Sequence, residues 1–269
     1  MRKYFFAFLM AMTLVAPALA APLDDLRTAY LRGDDVTVLR LSQPLAYQGN
    51  AVAQYYLGLM YSAGQGVPNS VFEARDWYRR AADQGLAEAQ NNLGIMYRNG
   101  QGVWQDYSEA ANWYRKAADQ GLAAAQYNLG LMYAGAEGVP QDYTEAAKWY
   151  RNAADQGLAA AQYNLGLMYA NGQGVPQDYA EAVRWYYRAA DQGAAIAQGP
   201  LGLMYAKGQG VPLDYVEAHK WSNLAVSRFK AAETVGRDAA IRLRDRIESR
   251  MTPAQIAEAQ RLALEWRPR

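Results

Sequence analysis

The phrase Ala-Ala-Asp-Gln-Gly ends at Gly85, Gly121, Gly157 and Gly193, with Tyr47-Gln48-Gly49 as a worn copy, so it returns every 36 residues. A period of that length marks a supersecondary unit copied in tandem, in which no copy buries its apolar face alone and each relies on its neighbours. Five units follow: 49–84, 85–120, 121–156, 157–192 and 193–228.

Within a unit the apolar spacing is helical twice over. The first half, as in Ala123 to Tyr133, puts Ala125, Leu129 and Met132 on one face of a helix, here called helix A. The second half opens with Ser or Asp and carries Glu three residues on: Ser70/Glu73, Asp106/Glu109, Asp142/Glu145, Asp178/Glu181 and Asp214/Glu217. That spacing predicts a capping box at the start of helix B, each side chain answering an orphan backbone N–H. Trp77, Trp113, Trp149, Trp185 and Trp221 recur once per unit and read as core, whereas Arg79, Arg80, Arg115 and Lys116 read as a solvated outer face. Gly94, Gly130, Gly166 and Gly202 let the helices approach closely. Helices of about 13 residues are marginal alone and gain their stability from stacking. The expected fold is therefore all-α, an α-solenoid of antiparallel helix pairs with helical caps at residues 21–48 and 229–269. In the first cap Pro44 is expected to bend the second helix; in the last, Ala231 to Arg250 and a capped helix from Thr252 are expected.

The chain opens MRKYFFAFLMAMTLVAPALA, with Arg2 and Lys3 before an apolar run and Ala18-Leu19-Ala20 after it. This is the anatomy of a secretory signal peptide cleaved after Ala20, which points to a periplasmic or secreted protein. The run is shorter than the roughly 20 residues a membrane-spanning helix needs, so no stable insertion is expected after cleavage. Removal of Arg2 and Lys3 turns the formal charge from +1 to −1, a balance that does not favour nucleic acid, so no nucleic-acid partner is expected. There is no cysteine, which excludes thiol catalysis and Cys-ligated metal.

Unit 157–192 reads AQYNLGLMY, the loop GQGVPQD, then Ala182, Trp185, Ala189 and Ala190 before Gly193. On these residues the units resemble Sel1-like repeats, relatives of the tetratricopeptide repeat, and the closing MTPAQIAEAQRLALEW looks like the tail of exported bacterial members. The resemblance implies a monomeric, non-enzymatic interaction scaffold without cofactor or metal, binding another protein or peptide on a concave surface lined by helix A. It also implies two alternatives. One is an immunity protein against an envelope-directed effector, a role of some exported members. The other is a peptidoglycan-active or β-lactam-hydrolysing enzyme, suggested by a cysteine-rich branch whose cysteines this chain lacks.

Carried over by position, the tetratricopeptide-like geometry assigns Tyr55, Tyr56 and Leu59 of the first unit to the partner surface, and Glu88, Asn91, Asn92, Ile95 and Arg98 of the second. The third and fourth contribute Tyr127, Asn128, Leu131 and Tyr163, Asn164, Leu167, Asn171, and the fifth Ile196, Leu203 and Lys207. Asn can bond an extended backbone while Tyr supplies stiff contact area. The competing reading is that Asn92, Asn128 and Asn164 bond across neighbouring helices and that the tyrosines pack internally.

Other motifs carry less. The Gly-Gln-Gly loops lack the strand and the Lys-Ser/Thr of a phosphate cradle and read as turns. In the third copy, Gly135-Ala136-Glu137-Gly138, either helix A ends at Gly135 or Ala136 accepts a strained φ. Gly199-Pro200 should bend the fifth helix A or delay its start. His219 is the single histidine and has no triad partners, and Ser227-Arg228-Phe229-Lys230 matches Ser-x-x-Lys without its companion motifs.

Overall fold

The computed structural model describes residues 22–230 and 233–268, and every regular element among them is a helix. The expected signal segment, 1–20, and Ala231 lie outside the described residues. Helix α1 spans 22–31 and α2 Asp35–Tyr47, with Pro44 inside it. The five A helices are α3 (Ala51–Ala63), α5 (Ala87–Asn99), α7 (Ala123–Gly135), α9 (Ala159–Asn171) and α11 (Ala195–Lys207). The B helices are α4 (Val71–Asp83), α6 (Tyr107–Asp119), α8 (Tyr143–Asp155), α10 (Tyr179–Asp191) and α12 (Tyr215–Arg228). Helices α13 (Thr234–Glu248) and α14 (Pro253–Glu265) close the chain.

The described residues form two compact units, one up to Gln120 and one from Gly121. In the first, α2 packs on α3, α3 on α4, α4 on α5 and α5 on α6; in the second the same succession runs from α7 to α12, and α12 also carries α13 and α14. Each unit is a stretch of α-solenoid built of antiparallel helix pairs. Leu57, Leu93, Leu129, Leu165 and Leu201 occupy one position of helix A and are buried, each stabilising the stack by about 1.5–3 kcal/mol.

The capping box is only half present in the repeats. Ser70, Asp106, Asp142, Asp178 and Asp214 each accept a hydrogen bond from the backbone N–H three residues on. The N-cap N–H, however, donates to a helix-A carbonyl: Ser70 to Tyr61, Asp106 to Tyr97, Asp142 to Tyr133, Asp178 to Tyr169 and Asp214 to Tyr205. That bond ties helix B to helix A and frees the glutamate. Glu109 and Glu217 instead accept from the indole N–H of Trp113 and Trp221, both at 2.9 Å. Glu145 and Glu181 pair with Lys148 and Arg184, and the buried indole N–H groups of Trp149 and Trp185 have no partner among the described residues. The full reciprocal box occurs at Thr252 and Gln255, where α14 begins.

Buried glutamines join successive repeats. The side-chain amide of Gln162 donates to Ala154 O, the last turn of the preceding helix B, at 3.1 Å; its oxygen accepts from Gln192 at 2.8 Å. Gln90, Ala82 and Gln120 repeat the arrangement in the first unit. A relay of this kind satisfies helix-end carbonyls that would otherwise be orphaned inside the stack. The glutamine of the recurring phrase is thus structural, a role its period alone does not announce.

At the loops, Gly64, Gly100, Gly172 and Gly208 end helix A in the left-handed region. In the third copy both expectations meet: α7 ends at Gly135 with the common length of 13 residues, and Ala136 takes the left-handed position at φ 56°. The second loop glycine does more than aim the chain, since a Cβ on Gly174 would lie 2.1 Å from the carbonyl oxygen of Tyr143 in the previous repeat. Helix α11 does not start late; it begins at Ala195, in register with the other A helices, and runs through Pro200.

Candidate partner-binding faces

On the first four A helices the glycine that follows the core leucine makes room for an aromatic ring, whereas Gly202 in the fifth faces Ser222. A Cβ on Gly58, Gly130 or Gly166 would strike the ring of Tyr78, Tyr150 or Tyr186 at 2.5, 2.7 and 2.8 Å. The helix-B tyrosine therefore lies directly on helix A, and a helix-A tyrosine three residues before the glycine leans on it. Ring centroids are 5.9 Å apart for Tyr55 and Tyr78, 5.8 Å for Tyr127 and Tyr150, and 5.9 Å for Tyr163 and Tyr186. Burial holds the phenols of Tyr55 and Tyr186 well above the ordinary value and pushes Tyr78 up to about 12, against hydrogen bonds with Asn92 and Ser62 that pull it down. These phenols are neutral and offer an O–H, not a charge.

The candidate residues divide accordingly. Tyr56 is buried against the ring of Tyr30, and Asn91 is buried where the first, third and fourth repeats carry tyrosine, so neither has surface to present. Asn92 is half-buried and bonds Tyr78 across the α4–α5 contact, the internal role named as its alternative. Tyr55, Leu59, Ile95, Arg98, Tyr127, Asn128, Leu131, Tyr163 and Asn164 are half-buried, each with one edge open. Glu88, Leu167 and Lys207 are exposed.

The compact unit from Gly121 brings several of them together. Tyr163, Leu167, Asn171, Ile196, Leu203 and Lys207 line a cavity of about 620 Å³ between α9 and α11. Its remaining wall was not foreseen: Phe229 and, from α13, Ala239, Ala240 and Leu243. No repeat period reaches these residues, so only the packing of α13 reveals them. Helix α13 is held by His219, fully buried in α12, whose Nε2 lies 2.6 Å from Glu248 Oε1. His219 is thus a latch, and Ser227 bonds the carbonyl of Leu224 in its own helix.

Sequence reasoning also passed over the second loop of the first unit. Trp104, 95% exposed, stands where the other loops carry Pro68, Pro140, Pro176 and Pro212, and Phe72, 61% exposed, where they carry Ser108, Thr144, Ala180 and Val216. The break in pattern was the available signal. Arg79 corrects the solvated-face reading, being half-buried and stacked on Tyr97 and Trp113. Among the described residues no cluster of His, Asp and Glu can hold a metal, and no helix is long and apolar enough to cross a membrane.

Comparison with known proteins agrees with this architecture. The structure resembles that of a Sel1 repeat protein from Oxalobacter formigenes, at 31% identity and a TM-score of 0.76, over 91% of this chain and 97% of that one. It also resembles a protective antigen present in uropathogenic Escherichia coli strains, at 32% identity and a TM-score of 0.73. That match covers 90% of this chain and 56% of the antigen, so the chain spans little more than half the antigen's length. No curated protein is matched. The family model of the Sel1 repeat matches residues 51–86, 87–122, 123–158, 159–193 and 195–228. With the period, the paired helices and five matched units in agreement, this chain belongs to the Sel1-repeat family.

Proposed function

We propose that this chain is an exported scaffold that binds a partner protein or peptide on its helix-A faces, without catalysing a reaction. One observation carries the reading. Leu59, Ile95, Leu131, Leu167 and Leu203, one from each repeat, hold one outward position of helix A and stay open to solvent to different degrees. Two residues before each lies a core leucine that is fully or nearly buried. Aliphatic side chains kept on an outward face, beside tyrosine and asparagine, are the composition of a recognition surface. The exposed positions of helix B include the charged Lys116, Lys148 and Arg184.

Export rests on the N-terminal residues Met1 to Ala20, and N-terminal sequencing of the protein from a periplasmic fraction should begin at Ala21. Binding is tested with a photo-crosslinking amino acid at Leu131 or Leu167, compared with Lys148 or Arg184, in living cells. One defined adduct from both helix-A positions and none from helix B is expected. Adducts from helix B alone would move the partner surface to the other face. Purified protein should leave a chromogenic β-lactam intact; turnover lost on Ser227→Ala would replace the scaffold reading with an enzymatic one.

A further inference from the structure

Both tyrosines of the pair that fills the helix A–helix B seam are missing from one repeat, the fifth. Positions equivalent to Tyr163 and Tyr186 are Gly199 and Ser222 in the fifth unit. Gly58, Gly94, Gly130 and Gly166 are required by a tyrosine ring pressed against them, but a Cβ on Gly199 would meet nothing within 4 Å. Packing does not ask for this glycine. Gly199 and Pro200 both disfavour a helix, and together they leave open the cavity of about 620 Å³ that they line. Its volume falls within the usual range for ligand sites, about 300–1,000 Å³.

The geometry points to a pocket for one bulky apolar side chain of a partner peptide, aromatic or long aliphatic, with an acidic residue beside it paired to Lys207. This rests on the reading of helix A as the partner surface and names what one stretch of it recognises. The walls supply the apolar specificity: Leu167, Ile196, Leu203, Phe229 and Leu243 face the cavity. Lys207 is the one charged residue in that lining. It is exposed and, among the described residues, has no hydrogen-bond or ion-pair partner, so the pocket is complementary to a single negative charge. Proline has no N–H, so Pro200 leaves the carbonyl of Ile196 without its helical donor. With the side-chain amides of Asn171 and Gln209 in the lining, that carbonyl offers an extended backbone places to bond, which a fatty-acid tail would not use.

The test is an array of short synthetic peptides with a central Trp, Leu or Ala next to Glu, Gln or Lys, probed with the mature protein, with decanoate as a separate ligand. Wild type is expected to favour Trp or Leu over Ala, and Glu over Lys, by roughly tenfold or more. Gly199→Tyr with Pro200→Asn restores the Tyr-Asn of the third and fourth units; it should keep or raise thermal stability while erasing the apolar preference. Lys207→Glu should reverse the charge preference. Equal binding of all peptides by wild type, unchanged selectivity in the restored variant, or saturable binding of decanoate with none of peptide would each overturn the pocket. If crosslinking at Leu131 persists in that event, the broader helix-A reading stands; if helix-A crosslinking fails everywhere, that reading falls as well.

Discussion

At the scale of the residue, copies of one unit act as built-in controls. Ala136 holds a left-handed conformation that glycine holds in the other four copies. A side chain there costs roughly 1–2 kcal/mol, so Ala136→Gly should raise the unfolding free energy by about 1 kcal/mol in urea titration. The tryptophans make a second comparison. Trp113 donates its indole N–H to Glu109, whereas that of Trp185 is buried without a partner among the described residues. Replacement by Phe removes a satisfied bond in the first case and an unsatisfied donor in the second. Trp185→Phe should therefore cost less than Trp113→Phe, by about 1 kcal/mol. The position of each tryptophan was legible in the sequence; its bonding was not, because Glu145 and Glu181 turn to Lys148 and Arg184 whereas Glu217 bonds both Lys220 and the Trp221 indole.

At the scale of the element, helix starts and stops follow local chemistry and were readable in advance. The N-cap side chains, the glycines after helix A and the capping box of α14 all depend on residues within a few positions of one another. Asp178→Ala should cost about 1 kcal/mol, read by thermal unfolding. The other half of the expected box was not readable, since the N-cap N–H has a distant competitor in the Tyr169 carbonyl. Loop glycines divide in the same way. Gly172 serves a turn, but Gly174 also meets the backbone of Tyr143, 31 positions earlier. Gly174→Ala should thus destabilise more than Gly172→Ala, because it adds a backbone collision to the same left-handed strain. Equal losses would show that the loop moves away freely.

At the scale of the whole molecule, buried phenols and the α13 latch govern behaviour. Tyr78 is pushed up to about 12, and Tyr55 and Tyr186 are raised by the same burial. A raised folded-state value means that the unfolded chain loses its phenolic protons first. Stability is therefore full below about pH 10 and falls as pH climbs from there through the folded value near 12. Tyr78→Phe should flatten that alkaline loss, as measured by denaturation midpoints across the range. His219→Ala should speed amide exchange throughout Thr234–Glu248 and leave α7 to α10 protected, because the His219–Glu248 contact joins α13 to α12. By itself, the sequence determined the number of repeats, the helix pairs, the caps and which residue types line helix A, all of which follow from short-range spacing multiplied by a fixed period. Tertiary structure alone decided which lining residues stay open and where α13 closes on the fifth repeat. Burial and cavity volume are properties of packed surfaces, and the cavity beside Gly199 is completed by Phe229 and α13, which lie outside the period.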